Sequence, residues 1–168
     1  DNAVDRPVPS FADNDWATIV SNVQNNTIPS SYTVGSTKTV DMGTFGTHTL
    51  RITNTTTPAE CSTTGFSQTA CGFVLEFADI ITTHEMNSTD TNVGGWPASE
   101  MRTYVNSDIY NALPTALKNA IIDTTVVSGH GPNSGETNFT STDKLYLLSP
   151  HEVWEDNDGN TSNGIIAR

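Results

Sequence analysis

The stretch Gly94-Gly95-Trp96-Pro97-Ala98-Ser99-Glu100-Met101-Arg102-Thr103-Tyr104-Val105-Asn106 decides how the chain is read. Paired glycines permit a sharp turn, and Ser99 is placed to cap a helix whose first turn carries Glu100, the favourable sign at a helix N-terminus. Met101, Tyr104, Val105, Ile109 and Leu113 then recur at helical spacing, so they are expected on one buried face. Asn106-Ser107-Asp108 is expected to break that helix into two pieces. Pro114 suits the first position of a second helix that turns Leu117, Ile121 and Ile122 inward. Trp96, ahead of Pro97 and the helix, reads as a core wedge, with an aromatic platform for a sugar or peptide as the alternative.

Upstream, Asp13 or Asp15 can cap a short helix through Trp16, Ile19, Val20 and Val23. Tyr32 to Gly35 and Lys38 to Met42 alternate like strand, and His48 to Thr53 answers across Gly43-Thr44-Phe45-Gly46, a hairpin pattern. Phe73 to Ile81 is apolar on both faces and is expected to be a central strand. Thr124 to Val127 predicts another strand, followed by a polar loop from Ser128 to Thr142. Leu145 to Leu148 reads as a buried strand, and Glu155 to Thr161 as a polar loop. The expected fold class is α+β, with curved antiparallel sheets and two or three short helices.

The only cysteines, Cys61 and Cys71, flank a polar loop. A bridge there closes about eleven residues and is worth on the order of 3 kcal/mol. Two free thiols, or a metal or redox role, are the alternatives, but no CxxC pair or HExxH motif supplies further zinc ligands. A disulfide implies an oxidising compartment, and the low charged content with abundant Thr, Ser and Asn points the same way, to a secreted or cell-surface location.

Seven basic against nineteen acidic residues give a net charge of -12, a field that repels nucleic acid and anionic lipid. No apolar run reaches the roughly 18 residues of a membrane span, so membrane insertion is not expected. Residues 1–12, with Pro7 and Pro9, read as an extended lead-in, and 13–168 as a single extracellular domain.

The motif, together with Tyr32 to Gly35 with Lys38, His48 to Ile52, Gly72 to Phe77, Leu113 to Ile122 and Thr142 to Ser149, resembles a family of bacterial surface-protein domains of unknown function. The resemblance implies a scaffold similar to C-type-lectin-like and formylglycine-generating-enzyme-like folds, and it implies no catalytic residues. Members of that family usually continue into closing strands, so the domain is expected to be abbreviated at its C-terminus or completed by another polypeptide. Self-assembly or a strand-donating neighbour follows from that expectation.

His48, His84, His130 and His151 lie in separate segments, and no nucleophile elbow, metal set or cofactor loop is recognisable. No catalytic, cofactor-binding or metal residue is therefore assigned. Glu152 with Glu155 is the kind of carboxylate pair a glycosidase uses, but acidic surfaces contain such pairs routinely. Asp156-Asn157-Asp158-Gly159-Asn160 alternates oxygen ligands suited to Ca²⁺, with a solvated acidic loop as the default. Five Asn-x-Ser/Thr sequons occur, at Asn25, Asn54, Asn87, Asn138 and Asn160. Ligand contacts are expected in two loops: Asn138 in the first, and Trp154, Asp156 and Asp158 in the second. The expected function is a non-enzymatic surface module for adhesion, recognition of a glycan or protein ligand, or assembly. An enzyme domain on a lectin-like scaffold and a structural spacer are the alternatives.

Overall fold

A computed structural model describes residues 8–130, 137–149 and 152. It is an α+β fold with a three-stranded and a two-stranded antiparallel sheet joined by short helices. The first helix, α1 (Trp16–Gln24), starts where Asp15 sits in extended conformation and its carboxylate accepts the Thr18 N–H at 2.8 Å. Ile19 is the buried residue of that helix. It packs with Phe11, Tyr32 and Ile52. Phe11, within the stretch read as a lead-in, is 1% exposed and meets the Tyr32 ring edge-on at 5.5 Å.

Strands β1 (Thr37–Asp41) and β2 (Thr47–Asn54) form the expected hairpin around a 3₁₀ turn at Gly43–Phe45, with Thr39 opposite Thr49. Tyr32 to Gly35 is not the strand its alternation suggested. Gly35, at φ +93°, turns the chain, and its N–H donates to Ile52 O while Ile52 N–H donates to Ser36 O. Tyr32 instead buries its ring and lets Asn14 and Asn22 donate to its hydroxyl.

The strand expected over Phe73 to Ile81 is shorter and lies at the edge of its sheet. Among the described residues β3 (Val74–Phe77) pairs with β2 alone, in the order β1-β2-β3, so β2 is central. Leu75 and Phe77 face the core clusters, while Glu76 on the other face takes two hydrogen bonds from the Arg51 guanidinium at 3.0 and 2.7 Å. Beyond Phe77 the chain leaves the sheet, and Ile80 is 84% exposed.

The motif folds as α2 (Gly95–Ala98), α3 (Glu100–Tyr104), a π-helical turn at Val105–Ile109 and α4 (Tyr110–Ala112). The helix is not broken in two at Asn106 to Asp108 as expected; it widens there and continues to Ala112. Ser107 Oγ donates back to Thr103 O at 2.6 Å, the kind of side-chain competition that loosens a helix. Val105, Ile109 and Leu113, with Leu117 of α5 (Thr115–Ala120), pack on Val40, Met42 and Leu50 to make the larger core. Pro114 caps α5 from outside its first turn, and Ile122, expected inside, is 72% exposed.

The segment Ser128 to Thr142, expected as a loop, ends in a strand. β4 (Thr124–Ser128) pairs with β5 (Phe139–Asp143), Val126 opposite Ser141. Leu145 to Leu148 is not a strand: Leu145 rests against the larger core, but Leu147 and Leu148 are 46% and 41% exposed.

Candidate functional site

The motif converges on Asp143, a residue that sequence reading did not single out. Its carboxylate is 1% exposed and is held from three sides. Trp96 Nε1 donates to Oδ2 at 2.8 Å, Ser141 Oγ to the same oxygen at 2.8 Å, and Arg102 Nε to Oδ1 at 2.6 Å. Arg102 also donates to Pro97 O and Thr142 O, so one guanidinium ties α2, α3 and β5 together. Ser99 closes the arrangement: it accepts the Arg102 N–H, as expected of an N-cap, and donates its hydroxyl to Trp96 O.

Each further element of the motif serves the same joint. Gly95 has φ +56°, and a Cβ there would lie 2.6 Å from the Phe139 ring. Asn106 donates to Leu145 O at 2.8 Å and accepts the N–H groups of Lys144 and Leu145, fixing the chain that leaves β5. Trp96, expected as a core wedge, packs half-buried against the larger core with its polar edge engaged. The motif is a structural clasp between the helices and the second sheet.

The two cysteines form a disulfide, Cys61–Cys71, with Cα atoms 6.0 Å apart. Within its loop, Ser67, Thr69 and Ala70 are buried. Thr69 Oγ1 donates to Glu152 Oε1 at 2.7 Å, and the other oxygen of Glu152 accepts the Ser149 N–H at 2.8 Å. Glu152 is 6% exposed, a structural carboxylate that joins the disulfide loop to the segment after β5.

Of the histidines, His48 is the most engaged. Its Nδ1 lies 2.6 Å from Asp79 Oδ2 and its Nε2 2.6 Å from Phe45 O. Hydrogen bonding to Asp79, then to Phe45, raises its pKa above the ordinary histidine value, and the same bond to His48 lowers that of Asp79. His84 stacks on Tyr104 with ring centroids 4.0 Å apart. Among the described residues no three His, Cys, Asp or Glu side chains gather as metal ligands.

The ligand residues expected from sequence are reached only in part. Asn138 is half-buried immediately before β5, at the loop end of the β4–β5 hairpin where Ser128 lies opposite Phe139. At that end Ser128 Oγ and His130 Nδ1 are shielded from solvent, with no hydrogen-bond partner among the described residues. Trp154, Asp156 and Asp158 lie outside the described residues, as do His151 and Glu155. No helix among the described residues is long and apolar enough to cross a membrane.

These features define a disulfide-bonded α+β domain organised by a tryptophan–arginine–aspartate clasp. The chain belongs to the family described as a domain of unknown function, DUF6273, whose model matches residues 73–165. That range spans β3, the motif helices and both strands of the second sheet. No curated protein and no solved structure matches the chain.

Proposed function

We propose that this chain is a non-enzymatic module of a bacterial surface, secreted or cell-surface, that acts in adhesion, ligand recognition or assembly on a C-type-lectin-like scaffold. The observation that carries the reading is the Cys61–Cys71 bridge in an acidic chain, since stable disulfides belong to oxidising compartments. The clasp supports the non-enzymatic part: Trp96, Ser99, Arg102, Ser141 and Asp143 of the most distinctive region are engaged with one another. Short helices packed on antiparallel sheet support the lectin-like scaffold.

The ligand is a surface glycan or protein. It is met by Asn138 at the loop end of the β4–β5 hairpin and by Trp154, Asp156 and Asp158, where an aromatic face lies beside acidic oxygens in the sequence. The test measures binding of the intact chain to a glycan array and to cell surfaces, with Asn138→Ala and Trp154→Ala checked for folding by circular dichroism. Loss of binding in folded variants is expected. Full binding in both moves the site elsewhere, and no binding by the parent chain favours a structural spacer. Sedimentation velocity of the same sample reads self-assembly directly.

A further inference from the structure

The second sheet has two strands, and each outer edge is covered by a different part of the molecule. Toward the helices, Thr142 of β5 gives its carbonyl to Arg102. On the other side, Thr125 and Val127 of β4 turn their backbone groups away from β5, as alternate residues of an antiparallel pair do. Gln68 N–H donates to Thr125 O at 2.8 Å, and Val127 N–H donates to Ser67 Oγ at 3.1 Å. Residues 67 and 68 therefore stand in the place of a third strand.

These residues form the inner limb of the disulfide loop. Gln68 Nε2 donates across the loop to Cys61 O at 3.0 Å, and Cys71 N–H donates to Gln68 O at 3.2 Å. The outer limb, Ser62 to Gly65, is exposed, and the polar side chains of Ser67 and Thr69 occupy buried space. Between the cysteines the only apolar side chains are Phe66 and Ala70, so burial of apolar surface contributes little to holding the limb in place. Its placement rests on hydrogen bonds: besides those to β4, Thr69 donates to Glu152, the Tyr146 hydroxyl donates to Thr69 O and Asn54 donates to Ala70 O, while the covalent bridge fixes the two ends of the loop.

We propose that the Cys61–Cys71 loop is a redox-operated cap on the β4 edge: closed, it satisfies Thr125 and Val127; opened by a dithiol, it uncovers them. The chemistry is thiol–disulfide exchange. A reductant thiolate attacks one sulfur, the S–S bond breaks, and the second reductant thiol resolves the mixed disulfide. Two electrons pass to the protein, which leaves with two thiols, and the reductant becomes a disulfide. Both cysteines are half-buried, leaving each partly accessible to such an attack.

The experiment is residue-resolved amide exchange on the full chain, oxidised and then reduced with dithiothreitol, with the thiol count verified by mass. Exchange at Gln68 and Val127 is expected to rise on the order of a hundredfold, the scale of the loop-closure entropy such a bridge removes. Amides of Val40 and Ile52, in the first sheet, are expected to stay slower than Gln68 and Val127, speeding up by no more than the loss of global stability that denaturation of the reduced chain shows. Ser67→Ala in the oxidised protein is expected to speed Val127 and leave Gln68 slow. The cap is overturned if Gln68 and Val127 stay slow in the reduced protein, if every amide accelerates equally, if dithiothreitol cannot reduce the folded chain, or if Ser67→Ala leaves Val127 unaffected.

Discussion

Trp96 and Asp143, 47 positions apart in the chain, meet through an indole N–H to carboxylate hydrogen bond of 2.8 Å. The contact brings the start of the helical region against the last residue of β5, and Arg102 completes it with a charge. A carboxylate this deeply buried is stabilised only while its donors remain, and the guanidinium in turn relies on the carboxylate.

Replacing Asp143 with Ala leaves Arg102, Trp96 and Ser141 without their shared acceptor. The cost is expected to be about 3 to 5 kcal/mol, the range for removing one partner of a buried ion pair. Chemical denaturation of Asp143→Ala and of Ser141→Ala separates the charge from the hydroxyl. Ser141→Ala, which leaves the ion pair standing, is expected to cost about 1.5 to 3 kcal/mol, the range for a hydrogen bond to a charged group.

Leu147 illustrates how an apolar run misleads. Lys144-Leu145-Tyr146-Leu147-Leu148 suggests a buried strand, but Leu147 is 46% exposed, while Leu50 is 4% exposed in the larger core. Leu147→Ala is therefore expected to shift stability by less than about 0.5 kcal/mol. Leu50→Ala is expected to cost about 2 to 5 kcal/mol. Equal denaturation midpoints for the two variants would contradict the placement.

What was legible in the sequence had a periodic or local cause. Helical spacing located Val105, Ile109 and Leu113, and the Ser99 cap followed from residue type. Two isolated cysteines announced their bridge. β5 was hidden because its buried positions are Ser141 and Asp143, so its alternation is not hydrophobic. The same reason concealed the clasp: Asp143 is fixed by donors from distant segments, and neither its sequence neighbours nor its residue type signals burial. Glu152, buried through Thr69 from 83 positions away, was equally silent. β3 misled differently, because its apolar residues on both faces suggested a strand with neighbours on each side, whereas among the described residues it borders only β2.

Gly95 tests whether the motif glycine is there for space. It combines φ +56° with a Cβ position 2.6 Å from the Phe139 ring, so Gly95→Ala is expected to cost about 1 to 3 kcal/mol from overpacking in addition to the backbone penalty. In a Phe139→Ala background the clash is gone, and the cost is expected to fall to roughly 1 to 2 kcal/mol, the backbone part alone. A double-mutant cycle measured by urea denaturation reads the difference. Identical costs in both backgrounds would assign the whole effect to φ.

His48 provides the pH dependence. Its two ring nitrogens face two acceptors, Asp79 Oδ2 and Phe45 O, so both contacts are hydrogen bonds only when the ring carries both protons. The folded-state pKa lies above the ordinary 6.5, because hydrogen bonds to Asp79 and then Phe45 favour the charged ring. The stabilisation is therefore fully present below the unfolded value and is lost as pH rises through the folded one. Asp79 has the opposite sign: its pKa is lowered below 3.8 by the bond to His48 and by the Thr49 N–H, so its contribution is present above 3.8 and is lost as pH falls through the folded value. The pair is expected to be strongest between about pH 4 and 6.5. Titration of the His48 ring by NMR should show a midpoint above that of a model histidine peptide, and Asp79→Asn should bring it down. A midpoint that Asp79→Asn leaves in place would mean that Asp79 is not what raises the histidine.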